Sequence, residues 1–233
     1  IVINGNSIID QGSVYVYEYN GSTWVQRAKL YDPEVSLESK MGYSVDVDVS
    51  TPGGYYILAG APYKDVDANP QQGSAYIWGS FNDPTNWFIA NELTVTSGGN
   101  DDDNFGYSVS VDNGDFAVGA PNHLTNGKSF YYRWNGNNYQ QYSLSNSKGI
   151  SVNVSNGKII TENHTASPNG ITSSGIADIH LGGVENILYK KIKDADPQSN
   201  AQFGHIVRIS GTIAMVLNAN GHIQFTHFQD WKK

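Results

Sequence analysis

The sequence predicts an all-β chain, a β-propeller built of four-stranded antiparallel blades. Three observations predict it. No stretch keeps apolar residues at i, i+3, i+4 and i+7 behind a cap, so amphipathic helices are missing. Alternation with a period of two runs along the chain instead. The dipeptide Asn-Gly, which tolerates the two positive-φ positions of a tight hairpin, occurs eight times, at Asn4, Asn20, Asn113, Asn126, Asn135, Asn156, Asn169 and Asn220.

A four-strand pattern repeats along the 233 residues. The first strand of the pattern is Gly42-Tyr43-Ser44-Val45-Asp46-Val47, which returns as Gly106-Tyr107-Ser108-Val109-Ser110-Val111. Looser copies begin at Gly149 and Gly204. The second strand ends in Ala59-Gly60-Ala61-Pro62, then in Val118-Gly119-Ala120-Pro121; Lys158–Thr161 and Ala214–Leu217 hold the place later. The third strand follows a glycine: Ser74–Trp78, Lys128–Tyr132, Ile176–His180 and His222–Thr226, with Ser13–Tyr19 as the earliest copy. There Val14 and Val16 share one face and Tyr15, Tyr17 and Tyr19 the other, which reads as a strand sandwiched between two layers. The fourth strand carries an aromatic near its start, at Trp24, Trp87, Tyr139 and Trp231. Four-stranded units repeated radially make a propeller.

The blades then fall at about 1–40 (partial), 41–104, 105–147, 148–202 and 203–233 (partial). About five blades are represented, and both terminal ones are incomplete. Residues 1–233 are therefore either one propeller domain of five atypical blades or a fragment of a six- or seven-bladed ring, the second being favoured.

Phe105-Gly106 followed by Val118-Gly119-Ala120-Pro121 resembles the FG-GAP repeat of integrin α-subunit propellers and their bacterial relatives. Met41-Gly42 with Ala59-Gly60-Ala61-Pro62 is a second copy, and Phe203-Gly204 a third start. The segment Gly12–Leu30 and the absence of cysteine look more like the bacterial members. The resemblance implies a non-enzymatic adhesion or binding module, secreted or on a cell surface, engaging a protein partner. A carbohydrate-binding lectin is the first alternative. A structural subunit, whose terminal blades a partner chain completes, is the second.

Composition narrows the choices. Fourteen Lys and Arg against twenty-two Asp and Glu give a net charge of −8, with only three arginines, which excludes phosphate-tracking nucleic-acid binding. No apolar run is long enough for a membrane helix. Zero cysteine excludes disulfides, thiolate metal sites and cysteine nucleophiles. No Gly-x-Ser-x-Gly elbow, Walker loop or His-Glu-x-x-His occurs, so no catalytic residue is assigned.

Integrin-type repeats often hold calcium in the loop between strands one and two, where alternate positions supply oxygen ligands. Registered on Gly60-Ala61-Pro62, those positions hold Asp48, Ser50, Pro52 and Tyr56, and the second copy has only the turn Asp112-Asn113-Gly114-Asp115. The resemblance therefore does not carry calcium over, and no cofactor is expected. Two other acidic runs alternate oxygen donors and are candidate cation loops: Asp65, Asp67 and Asn69, and Asp101 with Asp103. Glu162 and His164 share a strand face. Most aromatics read as packing between blades. Tyr15, Tyr76 and Phe130 form one column of strand three, which turns polar at Asp178 and Gln224. Trp134, Tyr139 and Tyr142 cluster near a hairpin and are candidates to stack on a sugar ring or a partner.

Overall fold

The computed structural model describes residues 2–3, 6–7, 10–34, 37–50, 54–81, 83–182 and 187–227. A hairpin of β1 (Val2–Ile3) and β2 (Asn6–Ser7) comes first. Sheet I then pairs β3 (Val14–Tyr19) with β4 (Trp24–Leu30). Three four-stranded antiparallel meanders follow. Sheet II holds β5 (Ser44–Ser50), β6 (Gly54–Ala61), β7 (Ser74–Phe81) and β8 (Phe88–Leu93). Sheet III holds β9 (Ser108–Asp112), β10 (Asp115–Ala120), β11 (Lys128–Trp134) and β12 (Tyr139–Leu144). Sheet IV holds β13 (Val152–Ser155), β14 (Lys158–Asn163), β15 (Ile176–Leu181) and β16 (Ile187–Lys193). Sheet V ends the series with β17 (Ile206–Ser210), β18 (Ile213–Leu217) and β19 (Ile223–His227). Trp231 and the fourth strand expected there lie outside the described residues.

Consecutive sheets pack face to face, and each junction has its own core. Sheets II and III enclose Leu58, Ile77 and Leu93 against Phe116, Phe130 and Tyr132. Sheet I meets sheet II through Val14, Val16 and Ala28 against Ile57, Tyr76 and Trp78. Tyr131 and Leu144 face Val152, Val154 and Ile159 at the next junction, and Ile160, Ile179 and Ile192 face Val207, Ile209 and Val216 at the last. Sheets II to IV are thus apolar on both faces, which is why their strands carry so few outward charges. Sheet I departs from this. The Tyr15, Tyr17 and Tyr19 face, expected to be sandwiched, is about half exposed, because no described sheet precedes it.

Backbone approach fixes the spacing of the sheets. The glycine before each third strand abuts the backbone that opens the next sheet. At Gly73 (φ +83°) a Cβ would lie 2.2 Å from the Phe105 carbonyl oxygen. Gly12, Gly127 and Gly175 meet Met41, Lys148 and Phe203 in the same way. The Phe-Gly step therefore records a close packing of two backbones, and only glycine leaves room for it.

Side chains on the first strands add a ladder of hydrogen bonds from sheet to sheet. Asp46 Oδ2 accepts from the Val111 N–H (2.9 Å) and the Ser110 hydroxyl (3.0 Å). Ser110 Oγ accepts from the Val154 N–H (3.2 Å), and Asn153 Oδ1 from the Ile209 N–H (2.7 Å). Asp48 and Asp112 accept from the Asn113 and Asn156 N–H groups, each at 2.7 Å. Each bond satisfies a backbone donor that the strand pairing within one sheet leaves free. Among the described residues no helix is long and apolar enough to cross a membrane.

Candidate functional site

The site is a groove of about 500 Å³ where the strand ends of sheets II and III meet. Sheet II contributes Tyr56 from β6 and Ala90 from β8. Sheet III contributes the β9–β10 turn with Asn113 and Gly114, then Asp115, Arg133, Trp134 and Tyr139. The turn is pinned to sheet II by the Asp48–Asn113 bond, so the two walls are held in register.

Aromatic rings form one wall. Trp134 and Tyr139 are directly cross-strand partners, with ring centroids 5.1 Å apart and an interplanar angle of 64°. Cross-strand aromatic pairs of this kind stabilise a hairpin while leaving one ring free. Tyr139 packs edge-on against buried Phe116 at 5.2 Å, and Phe116 in turn against Tyr56 at 5.9 Å. Trp134 caps this chain of rings and remains 52% exposed, so a flat apolar surface faces solvent on a rigid base. Burial, with Tyr56 adding to it, pushes the Tyr139 hydroxyl up to about 12, so it is a neutral hydrogen-bonding group at ordinary pH.

Polar groups line the rest. The Arg133 guanidinium lies 3.2 Å from the Asp115 carboxylate. Burial pushes the Asp115 carboxyl up, against the opposing pull of Tyr131 and Arg133. The Asn113 side-chain amide and the Trp134 indole N–H have no hydrogen-bond partner among the described residues, and both residues are exposed. The groove therefore offers a stacking face, an amide, an indole donor and a nearly neutralised acid–base pair. This set suits a neutral polyhydroxyl ligand better than an ion.

Of the three aromatic candidates, two come together. Tyr142 lies three residues beyond Tyr139 and so points to the opposite face, where it packs on Tyr131 at 5.9 Å between sheets III and IV. The same ring positions recur as Tyr19–Trp24 and Phe81–Phe88, each pair 5.5 Å apart. Tyr56, Asn113, Asp115 and Arg133 went unnoticed in the sequence. The one available signal was the Asp112–Asp115 turn, whose register places Asn113 at the sheet end.

The acidic loops have other work. Asp65 Oδ1 accepts the Gln71 N–H at 2.9 Å, and Asn69 Nδ2 donates to Gln72 Oε1 at 2.7 Å, while Asp67 is an exposed turn residue at φ +53°. Asp101 is exposed, and Asp103 is buried, taking the Asn100 N–H and His123 Nδ1, both at 2.8 Å. Glu162 is also buried and holds His164 Nδ1 at 2.7 Å and the Ile150 N–H at 2.9 Å. Among the described residues no group of three or more His, Asp or Glu side chains could hold a metal ion.

No protein-family model and no curated protein matches this chain. Solved structures do. A point variant of the Aleuria aurantia lectin, in complex with Fucα1-6GlcNAc, aligns with a TM-score of 0.51 at 16% identity, over 96% of this chain and 69% of the lectin. The computationally designed Ika4 protein aligns with a TM-score of 0.51 at 9% identity, over 82% of this chain and 93% of that one. At these identities the likeness is one of fold.

Proposed function

We propose that this chain is a carbohydrate-binding module whose stacked sheets are blades of a β-propeller, and that the groove between sheets II and III is its sugar site. The observation that carries the reading is the Trp134–Tyr139 pair, an exposed ring on a buried aromatic base beside free amide and indole donors. A pyranose ring stacks its C–H face on Trp134, and its hydroxyls exchange hydrogen bonds with Asn113, Asp115 and Arg133. The lectin among the structural neighbours supports the reading, since its complex holds a fucosylated disaccharide. Binding requires no metal. The module acts as a binder, not an enzyme, outside the cell or at its surface, as the FG-GAP resemblance implies. The adhesion reading from that resemblance names a protein partner, but no feature of the described surface favours one over a glycan at this groove.

The test is a glycan array run with calcium and with chelator, followed by titration of the best ligand into Trp134→Ala. An exposed tryptophan that anchors a ligand is worth about 2 kcal/mol or more, so affinity should fall at least about 30-fold. Binding should be equal in the two arms. A blank array, or a Trp134→Ala variant that binds as well as the parent, would sink the proposal.

A further inference from the structure

Eleven of the eighteen exposed large hydrophobic side chains lie on the two ends of the sheet stack. At the first end are Tyr15, Tyr17, Tyr19 and Trp24 of sheet I, with Val45, Val47 and Val49 of β5. At the other end are Ile206, Ile213, Ile223 and Phe225 of sheet V. Strand register puts Met215 beside Phe225, and Leu217 between Ile206 and Ile223, on that same outer face.

The internal junctions say what each end is built to meet. In every junction the later sheet offers its first-strand aliphatics to the sheet before it: Val111 to sheet II, Val152 and Val154 to sheet III, Val207 and Ile209 to sheet IV. Val45 and Val47 hold the equivalent places on β5, yet they are 55% and 63% exposed. Strand three follows a second rule. Tyr76 and Trp78 pack on the aliphatic face of sheet I, and Phe130 and Tyr132 pack on the Leu58–Ile77 face of sheet II. Tyr15 and Tyr17 occupy the same two positions of strand three in sheet I, and the aliphatic face they should meet is missing. Sheet V carries such a face: Ile206, Ile213, Met215, Leu217 and Ile223, with Phe225 among them.

We infer that copies of this chain associate head to tail, the outer face of sheet V in one copy packing on the Tyr15–Trp24 face of sheet I and on the bare valines of β5 in the next. The occupant is a second copy because each end lacks the kind of face that the opposite end presents. The contact continues the sheet-on-sheet junction already used four times within the chain. The two surfaces differ, so the interface is heterologous and yields either a closed ring or an extended row. Burying both apolar ends removes the largest exposed hydrophobic surface of the molecule. This inference does not depend on the sugar site, because neither face includes a groove residue.

Mass measurement by native mass spectrometry and light scattering, without glycan, tests it with two variants. Tyr17→Asp blocks the first end and Phe225→Asp the other. Both side chains are more than half exposed, so thermal melts should match the parent and show that the fold is kept. The parent should run as a dimer or larger species. Each variant alone should run as a monomer. Mixed in equal amounts, the two variants should form a one-to-one pair through their remaining intact ends. A parent that stays monomeric up to its solubility limit would overturn the inference. So would a mixture that stays monomeric, or a parent assembly that both variants leave intact.

Discussion

Replacing Gly73 with alanine isolates what the close approach between sheets contributes. Two effects add. The residue sits at φ +83°, where an L side chain costs about 1–2 kcal/mol. The new Cβ would also lie 2.2 Å from the Phe105 carbonyl oxygen and 2.6 Å from its nitrogen. These are backbone atoms held in place by the Phe105 N–H bond to the Gln72 carbonyl at 2.8 Å, so they cannot rotate away. Overpacking against such a neighbour costs about 1–3 kcal/mol more. Gly157→Ala is the matched control, with φ +67° and nothing within 4 Å of its Cβ. Urea unfolding should give the Gly73 variant a deficit about 1–3 kcal/mol larger than the control, at similar m-values. In thermal melts that difference is about 2–4 °C per kcal/mol for a chain of this size. Equal losses in the two variants would refute the claim that backbone contact sets the sheet spacing, and would leave only the left-handed conformation as the reason for glycine.

Other perturbations follow from buried charge. Lys64 is buried between sheets I and II, with its ammonium 3.0 Å from Glu34, 2.9 Å from Glu92, 3.7 Å from buried Asp32 and hydrogen-bonded to the Tyr76 hydroxyl. Lys64→Ala leaves Asp32 without a counter-charge and should cost about 3–5 kcal/mol in urea unfolding; adding Asp32→Asn should recover part of the loss. Burial holds the His180 imidazole down at about 4, against about 6.5 in an unfolded chain. Between those two pH values the unfolded chain binds a proton that the folded chain does not, so this residue withdraws stability as pH falls. Asp115 and Asp178, both pushed up by burial, work in the opposite sense. The readout is therefore a difference: relative to a His180→Leu variant, the parent should lose up to about 3 kcal/mol between pH 7 and pH 4. Parallel stability curves for the two proteins would rule the assignment out.

The fold was legible wherever side-chain type repeats with strand period. Gly42 and Gly106, the alternation of Val45 and Val109 with polar neighbours, and the turns at Asn113-Gly114 and Asn156-Gly157 are all local signals. Both asparagines of those turns sit at φ near +50°. Asn126-Gly127 is different: it closes a short 3-10 segment and its glycine meets the next sheet instead of turning a hairpin. Of the site, Trp134 and Tyr139 were legible because they share a hairpin and a face. Tyr142 was miscounted by one alternation. Tyr56 was beyond reach, since it joins the groove from a different sheet and nothing local to β6 marks it.

Sheets IV and V explain why the pattern fades in sequence before it fades in structure. The column that holds Tyr76 and Phe130 holds Asp178 in sheet IV, where burial would leave a carboxylate stranded but for Lys191 at 3.2 Å. At the place of Gly60 and Gly119, β14 has Glu162, and its carboxylate turns back onto Ile150 and His164. Yet the backbone bonds persist. The Gly42 N–H meets the Gly60 carbonyl and the Gly106 N–H the Gly119 carbonyl, and the Lys148 N–H meets the Glu162 carbonyl and the Gly204 N–H the Leu217 carbonyl in the same way. What the five sheets share is therefore the main-chain contact that closes each first strand onto its second. Side chains around that contact are free to change from apolar to polar as long as each buried group finds a partner. A reading based on residue type loses such a repeat as soon as the partners change, while the stacking of the sheets does not.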